Sequence, residues 1–282
     1  MIRALRYASV ILLALPACTK EDLVHSRLRI TNPGVATNAA VEGSGSSRIT
    51  DAWVYANNEA LGVWQFPSDL PVLRTGPTEV KLIAAIRRNG YQDDRVQYPF
   101  YATWSGNLDL SEDGTTELQP TFQYYDDLDF WIEDFEEAGY AFTPSGDTVL
   151  NTITDPTLVF EGNGSGEMYV DTGRTNVRIT TADAFSPTAN TPVYLEIDYA
   201  CDQEFLIGFR YTYNGDQEDL PYLNLNATGA GPELPWKKCY VDLSGPMNIL
   251  GASDRRFYIA VQLAGGATSG RVLVDNIKLV SR

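Results

Sequence analysis

The chain has 282 residues, with 37 acidic against 21 basic side chains, a formal net charge of −16 and one histidine. A surplus of carboxylates without a basic stripe excludes nucleic acid as a partner, because DNA- and RNA-binding proteins neutralise phosphates with Lys and Arg. The lone His25, near the N-terminus, leaves no Ser/His/Asp or Cys/His arrangement and no His/Cys zinc set, and neither a Gly-Lys-Ser/Thr phosphate loop nor a dinucleotide fingerprint occurs.

In chain order, Arg3 and Arg6 precede an apolar run from Tyr7 to Leu15 that ends in Leu15-Pro16-Ala17-Cys18. A positive start, a short apolar core and a small residue before the cut form a secretory signal peptide, and the core is too short to span a bilayer. The Leu-x-Ala-Cys ending resembles the lipobox of bacterial lipoproteins, which implies removal of residues 1–17 and acylation of Cys18. Several acyl chains hold a protein at a membrane because each buried methylene contributes about 0.8 kcal/mol. Thr19-Lys20-Glu21-Asp22 resembles the Lys-plus-acidic signal that sends some outer-membrane lipoproteins to the cell surface; the alternative is a charged tether, residues 18–25, on an anchor facing the periplasm. The expected location is therefore the outer membrane, lipid-anchored and surface-exposed. No later segment reaches the ~18 apolar residues of a membrane span.

Beyond the tether, short segments rich in Val, Ile, Leu, Tyr, Phe and Thr alternate with turns of Gly, Asn, Asp and Pro, which predicts an all-β chain of two β-sandwich domains. The expected strands are 27–30, 52–55, 79–86, 116–122, 193–199, 205–213, 238–243, 257–263 and 272–279. The polar, small-residue stretch Thr31 to Arg48 reads as a long mobile loop. The order strand, Asn57-Asn58 turn, Leu61-Gly62-Val63-Trp64 and Pro-bounded loop from Phe66 to Pro71 resembles small Ig-like or prealbumin-like surface modules, which implies a sandwich over 26–124 that serves as a spacer or docking platform.

Seven of the twelve residues from Asp126 to Glu137 are acidic, interleaved with Leu128, Phe130, Trp131, Ile132 and Phe135, and a domain junction is expected near residue 125. Trp131 and Phe135, four apart, fit a helix or a strand edge equally. Three later elements are Asp134-Phe135-Glu136-Glu137, Val159-Phe160-Glu161-Gly162-Asn163-Gly164-Ser165-Gly166 with its Gly/Ser turn into a strand at Glu167–Val170, and the terminal strand Val272 to Leu279. Together they resemble the galactose-binding-like jelly rolls of many carbohydrate-binding modules and imply such a fold over 125–282. The resemblance also implies a structural Ca²⁺ held by Glu136 and Asp275, with Glu161 as a third ligand. The other reading of these acids is as turn and strand-end residues satisfied by backbone N–H groups.

Cys201 and Cys239 lie in extended segments of an exported chain, so they read either as a disulfide or as two separate buried thiols. Alternation along Phe205–Tyr213 turns Arg210 outward. With Asp216, Tyr222 and Trp236 it makes a candidate polar-aromatic platform for sugar, against a plain reading as exposed strand side chains and a half-buried Trp. Glu196-Ile197-Asp198, followed by Asp202, resembles the Glu-x-Asp-x-x-Glu strand of one jelly-roll glycoside hydrolase family, but Cys201 stands where the third acid belongs. The plain reading is an amphipathic strand with Leu195, Ile197 and Tyr199 inward and Tyr194, Glu196 and Asp198 outward. The expected function is non-catalytic glycan binding through the C-terminal jelly roll. The alternative is a docking subunit of an outer-membrane protein assembly, with a hydrolase a distant third.

Overall fold

A computed structural model describes residues 25–231 and 234–282; the leader, Cys18 and the Thr19–Asp22 signal lie outside the described residues. The N-terminal half contains β1 (Ser26–Ile30), β2 (Gly34–Val35), α1 (Ala39–Glu42), β3 (Asp51–Ala56), β4 (Glu59–Gln65), β5 (Ser68–Val72), β6 (Gly76–Arg87), β7 (Arg95–Gln97), β8 (Trp104–Leu110), β9 (Thr115–Leu118) and β10 (Thr121–Phe122). The C-terminal half contains β11 (Asp129–Glu133), β12 (Phe142–Gly146), β13 (Leu150–Ile153), β14 (Ser165–Asp171), β15 (Asn176–Thr181), β16 (Tyr194–Cys201), β17 (Phe205–Tyr213), β18 (Asp216–Leu225), β19 (Lys237–Asp242), α2 (Ser244–Met247), β20 (Ser253–Gln262) and β21 (Ser269–Ser281).

Turn chemistry sets the hairpins. Asn57 and Asn58 both take positive φ (47° and 66°) between β3 and β4, and Asn214-Gly215 does the same (52° and 93°) between β17 and β18. Asn and Gly tolerate this left-handed region, and the paired left-handed turn matches the twist of the strands it joins.

The N-terminal sandwich packs the sheet β4-β3-β6-β7, with β8 on the first half of β6, against the sheet β5-β1-β9. Leu28, Ile30, Val54, Leu70, Leu82 and Ile86 are among its buried residues. The C-terminal sandwich packs β13-β14-β21-β16-β19 against β12-β15-β20-β17-β18. Every strand pair in that half is antiparallel, and the long β21 pairs with β14 along its first part and β11 along its last. The stretch around Trp131 is therefore a strand. Trp131 packs edge-on against Phe142 and Phe257, and Phe135 lies beyond the strand, buried at φ +59°.

The two sandwiches are sealed by tyrosines. Tyr98, Phe100, Tyr101 and Tyr124 of the first half share one buried cluster with Tyr194, Tyr240 and Val280 of the second. Tyr98 meets Tyr194 and Tyr240 at centroid distances of 5.3 and 4.9 Å, edge contacts each worth about 0.5–1.5 kcal/mol beyond their buried area. The alternation of β16 is as expected, since Leu195, Ile197 and Tyr199 enter the jelly-roll core. Its other face does not meet solvent, because Tyr194, Glu196 and Asp198 are buried against the N-terminal sandwich. Alternation identifies residues that share a face, and the covering layer came from a distant part of the chain.

The segment 31–48 is likewise not free. It contributes β2, which pairs with β10, and α1, then runs along the seam between the sandwiches. Lys278 Nζ donates to the Ser44 carbonyl, Ser46 Oγ to Asp198 Oδ1 at 3.0 Å, and Arg48 N–H to Tyr240 Oη at 3.0 Å. Gly43 sits at φ +66°, where a Cβ would press on Ile132 and Lys278 at 3.2 Å. A segment poor in apolar residues is fixed here by hydrogen bonds to buried polar groups that need partners. Burial pulls the Lys278 ammonium down to about 8, with Glu196 pulling it back.

No disulfide joins Cys201 and Cys239; both are free and buried. Cys239 stands opposite Ile197 in the β16–β19 register, four residues from Cys201. At about 3.3 Å per residue that offset is about 13 Å, beyond the ~7 Å Cα limit for a disulfide.

Candidate functional site

The seam leaves one edge of β19 open, and a cleft forms there. Its floor is Tyr199, Cys239 and Tyr240, and its walls come from Arg48, the β6–β7 turn with Asn89, Tyr91 and Gln92, and the end of β18 with Asn224 and Asn226. The cleft holds about 320 Å³, at the low end of the roughly 300–1,000 Å³ usual for ligand sites, and such sites favour domain boundaries. The turn is anchored to the floor. Asn89 N–H donates to the Tyr240 carbonyl at 2.8 Å, and its Oδ1 accepts from Asp242 N–H at 2.9 Å. Asn89 and Gly90 take positive φ (56° and 74°), the local geometry that turns Tyr91 outward, where it is 55% exposed.

A second, more open depression of about 340 Å³ adjoins the first at Arg48, Lys237 and Lys238 and extends to Ser46, Ser47, Asp198, Phe160 and Trp236. Phe160 and Trp236 lie with ring centroids 5.1 Å apart, and Phe160 is 38% exposed. Through these shared residues the two depressions make one groove, with Tyr91 in the first part and this aromatic pair in the second.

The cations along the groove differ in what they are free to do. Lys238 is buried between Asp198 (3.3 Å) and Glu196 (3.5 Å); burial pushes the Asp198 carboxyl up, and Lys238 opposes the shift. Arg87 is held by the buried Asp51 at 3.1 Å. Arg48 is exposed and Lys237 is half-buried, and among the described residues neither has a carboxylate partner. Burial drives the Cys239 thiol up to about 12, which makes it an inert part of the floor.

The four residues expected to form a sugar platform are dispersed. Arg210 pairs with Asp219 across the hairpin, through Nε at 2.7 Å and Nη2 at 2.8 Å. Arg178 grips the same carboxylate at 2.7 and 2.9 Å. These hydrogen bonds, those of Arg210 foremost, hold Asp219 far below the usual carboxylate range. Arg178 also stacks 3.5 Å over the Tyr258 ring, which lies above Gly208 so closely that a Cβ there would come within 2.0 Å of it. That ring is only 3% exposed. Arg210 is therefore locked within the outer sheet face, and the aromatic beside it is covered. Asp216 sits at the hairpin turn opposite Tyr213. Tyr222 donates to the Asp242 carbonyl at 2.6 Å, at the far end of β19, six residues or about 20 Å of extended chain from Trp236. Trp236 alone of the four lines the groove. Its partner Phe160, 76 positions away, carried no sequence signal of proximity.

The three expected calcium ligands gather in one corner, as hydrogen-bond acceptors. Glu136 accepts from Asn163 N–H at 2.6 Å, Asn163 Nδ2 at 2.8 Å and Gly164 N–H at 3.1 Å, which lowers its carboxyl. Asp275 accepts from Ser165 Oγ at 2.6 Å and Asn276 N–H at 2.7 Å; burial nevertheless raises it to about 7. Glu161 accepts from Asn276 Nδ2 at 3.0 Å and from Ser44 Oγ. N–H groups facing both oxygens of Glu136 do not fit a cation cage, and among the described residues no group of three or more His, Cys, Asp or Glu is placed to hold a metal. Glu196, the first acid of the hydrolase-like strand, is fully buried under Tyr98 and Tyr124, so a polysaccharide has no route to it.

The sequence matches no protein-family model, and no curated protein matches it. Among solved structures, one of the carbohydrate-binding modules from the beta-sandwich superfamily aligns over 83% of this chain and 86% of its own, at 14% identity and a TM-score of 0.39. A family 28 module specific for non-crystalline cellulose aligns over 51% of this chain and 90% of its own, at 15% identity and 0.38. The C-terminal family 22 module of Clostridium thermocellum Xyn10B aligns over 54% and 92%, at 14% identity and 0.37. Likeness at these values carries no argument about what this chain binds.

Proposed function

We propose that the protein is a non-catalytic glycan-binding protein that holds an extended sugar chain in the seam groove, along the β19 edge of its C-terminal jelly roll. The observation that carries this reading is the half-exposed Phe160–Trp236 pair in a depression that adjoins the cleft lined by Asn224, Asn226 and Tyr91. Sugars are held by stacking their C–H faces on aromatic rings and by directional hydrogen bonds to their hydroxyls, and the groove offers both. Affinity electrophoresis and titration calorimetry against a polysaccharide panel test it. Trp236→Ala weakens the best binder at least tenfold with an unchanged melting temperature. A variant that binds like the parent overturns the assignment to this groove.

The leader residues support a lipid anchor on Cys18 that displays the two sandwiches at the outer membrane, facing the cell surface. Metabolic labelling with a fatty acid, lost in Cys18→Ser, and protease accessibility on intact cells test the anchor and its orientation.

A further inference from the structure

We infer that the groove is built for an acidic glycan, one bearing carboxylate or sulfate groups; the inference rests on the glycan-binding reading above and names its substrate class. Among the described residues, the cleft along β19 is lined by Arg48, Arg87, Lys237 and Lys238 and by no Asp or Glu. In a chain with 37 acids and 21 bases this is a local reversal of charge. The adjoining depression contributes one acid, Asp198, which is buried and engaged by Lys238 and Ser46.

Two of the four cations are structural, since Lys238 and Arg87 answer the buried carboxylates of Glu196, Asp198 and Asp51. Arg48 and Lys237 answer none among the described residues, and they stand where the two depressions meet, one lined also by Tyr91 and the other by Phe160 and Trp236. A guanidinium offers paired N–H donors matched to a carboxylate or sulfate, and an ammonium adds a point charge beside it. A sugar stacked on Trp236 brings substituents of the next residue over this pair. The acidic remainder of the surface repels polyanions, with a screening length of about 8 Å at physiological salt. A polyanion that binds must therefore do so locally, through a site of opposite sign.

The test pairs charged polymers with uncharged counterparts on the same backbone: polygalacturonate with its methyl ester, and dextran sulfate with dextran. The full chain should favour the charged member of at least one pair by tenfold or more, and the preferred pair tells uronate from sulfate. Arg48→Gln with Lys237→Gln should abolish that preference, whereas Arg174→Gln, a cation outside the groove, should leave it intact. Equal binding of charged and neutral members, or a preference that survives the double substitution, overturns the inference and leaves neutral-glycan binding standing. Failure of every charged and neutral polymer to bind overturns the glycan reading itself.

Discussion

Tyr98 in the N-terminal sandwich donates its hydroxyl to Glu196 Oε1 in the C-terminal sandwich at 2.6 Å, with both residues out of contact with solvent. Tyr124 donates to the same oxygen at 2.7 Å, and Lys238 lies 3.5 Å from the other. Burial raises both phenols well above their ordinary value, so they remain protonated donors at any physiological pH. The carboxylate thus ties together the two halves whose junction carries the groove.

Removing one donor leaves a buried carboxylate short of a partner, so Tyr98→Phe is expected to lower stability by about 1–3 kcal/mol. Glu196→Ala is expected to lower it by about 3–5 kcal/mol, since Lys238 then faces only Asp198. Urea unfolding at neutral pH measures both. A loss below ~0.5 kcal/mol for Glu196→Ala contradicts a sealed interface.

Asp275 gives stability a pH dependence of definite sign. Its folded value of about 7 lies above the ordinary 3.8 because burial disfavours the charge. The folded state therefore binds the proton more tightly, and the contribution is fully present below pH ~4 and lost as pH rises through ~7. Between pH 5 and pH 8 the parent should lose roughly 2–3 kcal/mol relative to Asp275→Asn. A difference between the two proteins that does not change with pH rules this out.

With Glu136, Glu161 and Asp275 satisfied by N–H and O–H donors, chelation should leave the protein unaffected. EDTA at millimolar concentration is expected to leave the Tm unchanged, and added Ca²⁺ to raise it by nothing measurable. A drop of several degrees on chelation would restore the calcium site.

Cys201 and Cys239 are buried thiols, raised by burial to about 11 and about 12. Since the thiolate is the reactive form, both should resist a thiol reagent in the native protein and react once it is denatured. Non-reducing electrophoresis should show no shift on reduction. One protected disulfide in place of two thiols contradicts the β16–β19 register.

Local chemistry was legible in the sequence. Asn57-Asn58 marks its hairpin, and the alternation from Phe205 to Tyr213 holds for the buried Phe205, Ile207 and Phe209 and the partly exposed Leu206 and Arg210, whereas Gly208, on the outward face, is buried under Tyr258. What covers a strand face was not legible. Glu196 and Asp198 read as outward because nothing near them announces Tyr98, which comes from a segment 98 positions away. Thr31 to Arg48 has too little apolar content to form a core of its own and so reads as a mobile loop, yet its Ser, Gly and backbone groups are what a polar seam requires. The sugar platform failed on register. The tight Asn214-Gly215 turn sets Arg210 opposite Asp219, a partner closer than the Asp216 that proximity in sequence suggests. Of the groove residues, Trp236 stood out by type; Phe160 meets it through the fold of the C-terminal half, whereas Tyr91 and Arg48 reach the groove only through the docking of two sandwiches.

Hydrogen–deuterium exchange of the full chain, with and without the tightest-binding polysaccharide of the panel, tests the central claim most directly. Binding in the seam predicts slowed exchange in residues 87–92, 224–226 and 236–240, with the sheet β12-β15-β20-β17-β18 unchanged away from the β18 end. Protection centred on Arg178, Arg210 and Tyr258, with none along β19, contradicts it.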